Sequence, residues 1–116
     1  MEKIQITAEF KIHQGKLEDF KIIADECIAI IKEKEAGKGA LQYDWFFSPD
    51  QKECVVRETY TDSNAVLTHM GNIGEPIGRM LGISDFSLKL YGNPSEELQN
   101  AAAGLGPKVY LYYQGL

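Results

Sequence analysis

The chain begins with a run in which apolar and polar residues alternate. From Ile4 to Ile12, every second residue is apolar, and the residues between are glutamine, threonine, glutamate and lysine. A period of two is typical of a β-strand with one buried face, so this run predicts the first strand. Residues 41–47, 53–60 and 86–91 are further candidate strands. The turn sequence SPDQ at 48–51 predicts that the second and third strands form an antiparallel hairpin.

Two longer segments have the periodicity of helices. From Leu17 onward, apolar residues recur at intervals of three and four and form one stripe, which predicts a helix that ends near Gly37. A second helix is predicted to follow a cap at Thr61 or Asp62, and its apolar face carries Val66, His69, Met70 and Ile73. Because proline removes a backbone donor, Pro76 is predicted to break this helix, with a short helical turn after it.

The end of the chain adds a helix and a strand to this pattern. Asn93 is the predicted cap of a short helix with Pro94 in its first turn, and a last strand is predicted from Val109 to Tyr113. The order of elements is therefore β-α-β-β-α-β plus an extra helix and strand. This order predicts an α+β fold of the ferredoxin-like, split βαββαβ type, in which two helices cover one face of a four-stranded antiparallel sheet. We expect residues 1–116 to form one domain.

The charge and composition of the chain narrow the choice of partners. Its net charge is −5, and the nearest basic run, residues 32–38, is interrupted by Glu33 and Glu35, so nucleic acid is not expected to bind. No apolar stretch approaches the ~20 residues that span a bilayer, and no signal segment precedes the first strand. We therefore expect a cytoplasmic protein without a membrane partner, in which Cys27 and Cys54 are buried free thiols.

The face of the sheet opposite the helices is predicted to carry large apolar side chains. Phe46, Val55 and Tyr91 fall on it, with Tyr110 and Tyr112 nearby. Leaving such surface in water costs about 25 cal/mol per Å². A homodimer with its two sheets face to face would cover these side chains, whereas the polar residues interspersed on that face leave a monomer as the alternative.

Two residues have side chains suited to proton transfer. Glu58 is in phase with Cys54 and Val56, so its carboxylate is predicted to point into the interior, where burial raises a carboxyl pKa. His69 faces the same interior from the second helix, and imidazole is a natural base near neutral pH. The structural alternatives are a buried ion pair or loop cap for Glu58 and a core residue for His69.

Aromatic residues are the third candidate group. Tyr43, Trp45 and Tyr60 combine ring faces with polar tips, which suits a flat aromatic ligand but also an ordinary core. Phe10 and Met70 are assigned to the same binding surface. The sequence has no glycine-rich phosphate loop, no metal-ligand spacing and no activated nucleophile, so we expect no nucleotide or metal cofactor.

The stretch from Ala40 to His69 resembles the antibiotic biosynthesis monooxygenase family of the dimeric α/β-barrel superfamily. The segments "ALQYDWFF" and "VVRETYTDSNAVLTHM" contain the family's strand-two tyrosine, its strand-three glutamate and aromatic, an acidic turn, and an alanine and a histidine in helix two. The matching positions are Tyr43, Glu58, Tyr60, Asp62, Ala65 and His69. The resemblance implies a dimeric, cofactor-independent monooxygenase that acts with O₂ on a small phenol, quinol or anthrone.

The resemblance also implies roles for the candidate residues. His69 would be the base, Glu58 would orient or polarise the substrate, and the three aromatic residues Tyr43, Trp45 and Tyr60 would hold its ring. A deprotonated, electron-rich substrate can pass an electron directly to O₂, so no flavin is needed. Two alternatives remain at this point. One is a haem-degrading monooxygenase of the same superfamily, which would have tryptophan where Tyr60 stands. The other is a non-catalytic protein that binds a small hydrophobic metabolite.

Overall fold

The helices and strands of the chain follow the predicted order. The computed structural model describes residues 2–116. The elements are β1 (Ile4–Ile12), α1 (Leu17–Lys34), β2 (Ala40–Phe47), β3 (Glu53–Tyr60), α2 (Ser63–Leu81), β4 (Ser84–Gly92), α3 (Glu96–Ala102), a 3₁₀ turn (Ala103–Leu105) and β5 (Lys108–Leu111). The last strand thus ends before the predicted Tyr113.

The strands form one sheet in the order β2-β3-β1-β4-β5. The first three pairings are antiparallel, which is the predicted ferredoxin-like arrangement, and β5 adds a fifth strand parallel to β4. In this register Ile6 of the central strand lies between Glu58 of β3 and Leu90 of β4. Because paired residues point to the same side of a sheet, all three side chains face the helices.

The hydrophobic core lies between the sheet and the helices. The even-numbered residues of β1 from Ile4 to Phe10 are buried, as the alternation predicted, and α1 packs its stripe of Phe20, Ile23, Ala24, Cys27 and Ile31 against them. Cys27 and Cys54 are buried free thiols, in agreement with the sequence. Desolvation by burial raises the pKa of each thiol to about 12, which keeps both protonated near neutral pH.

The second helix runs without interruption through Pro76, which corrects the predicted break. Asp62 caps it as expected, with its side chain accepting a hydrogen bond from the Ala65 N–H at 2.8 Å. Pro76 is itself buried, and the helix has buried residues on both sides of it, Ile73 and Met80 among them. One missing backbone hydrogen bond costs less than exposing the apolar surface on either side, so tertiary packing overrides the local preference.

The third helix begins later than the sequence indicated. Its cap is Ser95, not Asn93, and the Ser95 side chain accepts a hydrogen bond from the Leu98 N–H. Pro94 therefore precedes the helix instead of occupying its first turn, which instead holds Glu96 and Glu97. A serine hydroxyl at this position reaches the third helical N–H, which explains the choice of cap.

The open face of the sheet carries both apolar and polar side chains. Phe46, Tyr110 and Tyr112 are 52, 41 and 44% exposed, as predicted for this side of the molecule. Tyr91 is half-buried because its ring stacks on that of Tyr110, with centroids 5.4 Å apart. Among the residues that the structure describes, no helix is long and apolar enough to cross a bilayer.

Candidate functional site

Glu58 and His69 meet in the interior between the sheet and α2. The His69 Nε2 atom lies 3.4 Å from Glu58 Oε1, and both side chains are more than nine-tenths buried. The alternation of β3 places Glu58 on the helix-covered face with Val56 and Tyr60, and the helical period of α2 turns His69 toward the sheet. The fold therefore brings together the two residues that the sequence singled out for proton transfer.

A second carboxylate completes the site, and sequence reasoning missed it. Glu35, the residue that follows α1, is only 4% exposed, and its Oε1 atom lies 3.1 Å from Nδ1 of His69. Its other oxygen accepts a hydrogen bond of 2.9 Å from the side chain of Asn72. In the sequence Glu35 appeared only as an interruption of a basic run. The available signal was its position four residues after Ile31, on the buried stripe of α1.

The imidazole of His69 is thus held between two buried carboxyl groups. A neutral His69 that donates its Nδ1–H to Glu35 presents Nε2 to Glu58 as an acceptor. Desolvation raises the pKa of Glu58 above its ordinary value, with a smaller contribution from the charge of Glu35, and His69 and the Tyr60 hydroxyl act in the opposite direction. A protonated Glu58 can donate to Nε2, so these two groups can share one proton.

Tyr60 forms a hydrogen bond with the Glu58 side of the Glu58–His69 pair. Its hydroxyl donates a hydrogen bond of 2.6 Å to Glu58 Oε1, and the residue is fully buried. Burial and the adjacent Glu58 raise the pKa of Tyr60, so the phenol stays protonated and remains a donor. Tyr60 is not among the residues that line the neighbouring cavity. Tyr60 therefore lies beside Glu58 and outside the cavity lining, and its predicted role in holding a substrate ring stays a prediction.

A cavity of about 70 Å³ adjoins the pair. Apart from Tyr60, all the predicted site residues line it: Phe10, Tyr43, Trp45, Glu58, His69 and Met70. The remaining wall is aliphatic or aromatic, with contributions from the sheet, α2 and the segment after Ser95. The cavity is thus an apolar space with a proton-transfer group on one side, which is the usual character of a small-molecule site.

The aromatic side chains of the cavity pack against one another, some edge to face and one pair stacked. The Tyr43 ring lies 5.4 Å from the His69 ring and 5.8 Å from Trp45, both in T-shaped contacts, and Trp45 stacks on Phe10 at 6.3 Å. Burial raises the pKa of the Tyr43 hydroxyl, so it stays protonated. The Trp45 indole N–H is buried without an acceptor in hydrogen-bond geometry, although Tyr43 is its polar neighbour. In the described part of the chain, no three histidine, cysteine or acidic side chains are grouped to hold a metal ion.

Comparisons with known proteins identify the fold of the chain. Protein-family models and curated proteins give no match to this sequence. The structure of MupZ from Pseudomonas fluorescens is similar with a TM-score of 0.84 and 22% identity, over 100% of this chain and 90% of MupZ. A "putative antibiotic biosynthesis monooxygenase" from Caulobacter crescentus has a TM-score of 0.67 and 21% identity, over 77% of this chain and 85% of its own.

A third structure has a stated activity. SnoaB from Streptomyces nogalater, described as a cofactor-independent oxygenase, is similar with a TM-score of 0.67 and 12% identity, over 82% of this chain and 96% of SnoaB. At these identities the similarity concerns the fold. The chain is an α+β protein that shares its ferredoxin-like fold with these structures, the "putative antibiotic biosynthesis monooxygenase" and SnoaB among them, as its sequence predicted.

Proposed function

We propose that the protein is a cofactor-independent monooxygenase that deprotonates a small, flat phenol, quinol or anthrone and oxidises it with O₂. One observation carries this proposal: His69, held between the carboxyl groups of Glu35 and Glu58, lines an otherwise apolar cavity. The similarity in fold to SnoaB supports the same class of reaction.

His69 is the base in this proposal. Its Nε2 atom takes the proton of a phenol or quinol hydroxyl, or of the acidic C–H of an anthrone, when the substrate approaches from the cavity and replaces Glu58 as its partner. Glu35 accepts the Nδ1–H, fixes the tautomer and stabilises the imidazolium as it forms, as the buried aspartate does in a serine protease. Burial raises the pKa of Glu58, and in its protonated form this carboxyl can donate a hydrogen bond that orients a substrate oxygen.

The electrons for the reaction come from the substrate. The deprotonated anion, for example that of anthrone, passes one electron to O₂, and the resulting radical combines with superoxide at carbon to form a peroxide anion. The O–O bond then breaks as that carbon loses its second hydrogen and becomes a carbonyl. The outer oxygen leaves with this hydrogen as hydroxide, which takes up the proton held by His69. Anthrone and O₂ thus give anthraquinone and water. The apolar wall excludes water, which favours electron transfer from an unsolvated anion.

Oxygen uptake with anthrone as the probe tests this function. The wild-type protein is expected to consume O₂ faster than the spontaneous reaction, and His69→Ala to lower that rate by roughly 10²- to 10⁴-fold. The matched control is His13→Ala, because the His13 side chain is exposed and lies 3.0 Å from Asp85 at the surface. Equal rates for His69→Ala and the wild type would refute the assignment of the base. Binding of anthrone without any O₂ uptake would favour the alternative, a non-catalytic metabolite binder.

We also propose that the protein is a homodimer in which two open sheet faces pair. The exposed rings of Phe46 and Tyr110 support this proposal, as does the exposed apolar end of the chain, where Leu111 and Tyr113 are 72 and 89% exposed. Pairing of the two faces would remove these side chains from water.

A further inference from the structure

The cavity beside His69 is too small for an aromatic ring as it stands. Its volume is about 70 Å³, whereas an engineered apolar cavity that holds benzene measures about 150 Å³. A flat substrate therefore enters only if part of the wall moves outward. The identity of that part decides which substrates fit.

Most of the wall is firmly held. The sheet supplies one side, and its strands are paired along their lengths. Helix α2 supplies another, and it is anchored by the Asp62 cap and by the contacts of His69 and Asn72 with Glu35. Displacing either of these walls would break the hydrogen bonds that organise the site.

The third part of the wall comes from α3 and the turn after it. Leu98, Ala102 and Leu105 line the cavity, and their spacing of four and three residues puts them on one face of this segment. Leu98 is fully buried and Ala102 is 2% exposed, whereas Ala101 and Ala103 are exposed. The segment thus covers the cavity with one apolar face and has solvent on the other.

The segment is also the least constrained part of the wall. Helix α3 has seven residues, too few to be stable alone, so its packing on the cavity holds it in place. A hydrogen bond of 3.0 Å from the Ser95 N–H to the Ser63 hydroxyl connects its start to α2, and Gly106, in the left-handed region, follows the turn. The segment between Ser95 and Gly106 is therefore short, and it can swing outward without unfolding of the sheet.

We propose that residues 96–105 are the size-selecting wall of the site, which swings outward to admit a flat aromatic of up to three fused rings and whose side chains set how well each size binds. The class of ligand rests on the proposed function, whereas the position of the wall rests on the cavity alone. Ala102 is the critical residue, because it is the smallest side chain on the face that covers the cavity.

The test compares Ala102→Leu with Ala101→Leu, the same substitution on the exposed side of α3. Binding of hydroquinone, 1,4-naphthohydroquinone and anthrone is measured without oxygen, so turnover does not contribute. Trp45 is the only tryptophan and lines the cavity, so quenching of its fluorescence reports occupancy. We expect Ala102→Leu to weaken naphthohydroquinone binding by about tenfold or more. Ala101→Leu is expected to bind like the wild type.

A second variant keeps the proposal testable if Ala102→Leu fails to fold. Leu105→Ala enlarges the same wall and is expected to improve anthrone binding relative to hydroquinone by about tenfold. Unchanged size preference in Leu105→Ala, or equal binding by the two alanine-to-leucine variants, would overturn the proposal. Size-selective binding without O₂ uptake would refute the proposed oxygenase function but not the size-selecting wall. Failure of the function and failure of the wall therefore give different results.

Discussion

Glu35 and His69 are 34 residues apart in the sequence, yet their side chains are in contact at 3.1 Å in the interior of the protein. The contact joins the end of α1 to the middle of α2. Because both groups are almost completely buried, neither has water as an alternative partner. The pair therefore fixes the orientation of the imidazole and makes Glu35 part of the proposed proton-transfer machinery.

Replacing Glu35 is expected to impair turnover more than binding. Glu35→Gln keeps the shape of the side chain but removes the charge that stabilises the His69 imidazolium. Its amide N–H can also donate to Nδ1, which would favour the other tautomer of His69. We expect kcat for anthrone oxidation to fall on the order of 100-fold or more, with KM nearly unchanged. Glu33→Gln, an exposed change two residues earlier, is the control. A rise in KM without a fall in kcat would mean that Glu35 only shapes the cavity.

Glu58 is expected to make the stability of the protein depend on pH. Burial makes its pKa higher in the folded chain than the ordinary value of 4.5, so the folded state binds the proton more tightly. The stabilisation is complete below pH 4.5 and is lost as the pH rises through the folded-state pKa. Each unit of difference between the folded-state and unfolded-state pKa of Glu58 corresponds to about 1.4 kcal/mol in the free energy of unfolding.

Urea unfolding of Glu58→Gln at pH 4.5 and pH 8 measures this effect. The variant cannot ionise at this position, so its stability relative to the wild type should increase from the lower to the higher pH. Glu53→Gln, at the exposed start of β3, should show no such increase. The same difference between variant and wild type at both pH values would contradict a raised pKa.

Two glycine substitutions are expected to have opposite effects on the free energy of unfolding. Gly74 lies exposed within α2, and a Cβ atom there would meet nothing within 4 Å, so Gly74→Ala should stabilise the protein by about 1 kcal/mol. Gly92 has a φ of 132°, and a Cβ atom would lie 2.8 Å from the Lys3 carbonyl oxygen. Gly92→Ala should therefore destabilise by roughly 1–3 kcal/mol. Chemical denaturation measures the free energy of unfolding of both variants. A Gly92→Ala variant as stable as the wild type would contradict the steric constraint at Gly92.

The proposed dimer predicts a particle of twice the 13.0 kDa chain mass in light scattering. Phe46→Lys together with Tyr110→Lys places charges on the open face and should give the monomer, because a desolvated, unpaired lysine is costly in an interface. Ile22→Lys is the control, since Ile22 is 59% exposed but lies on α1. A monomeric wild type, or a dimer that survives the double change, would rule out pairing through this face.

Much of the fold follows from local pattern. The bounds of β1 and β3 were predicted to the residue. The alternation of apolar and polar residues marks a strand that buries one face, and the hairpin turn sets where β3 begins. The sequence also placed Glu58 and His69 in the interior, because each shares the phase of apolar neighbours. Pro76 is a position where the local pattern gave the wrong prediction. The sequence shows that proline removes one backbone hydrogen bond of α2, but it does not show the tertiary packing that offsets this loss.

The sequence by itself therefore determined the order of the elements, the faces that they bury and the acid and imidazole that face each other. Only the tertiary structure decided that Glu35 is their partner, that Tyr60 contacts Glu58 and not the cavity, and that the segment after Ser95 closes the site. The physical reason is that phase and periodicity fix the direction of a side chain relative to its own element. Contacts between distant elements depend on how those elements pack, which no local pattern contains.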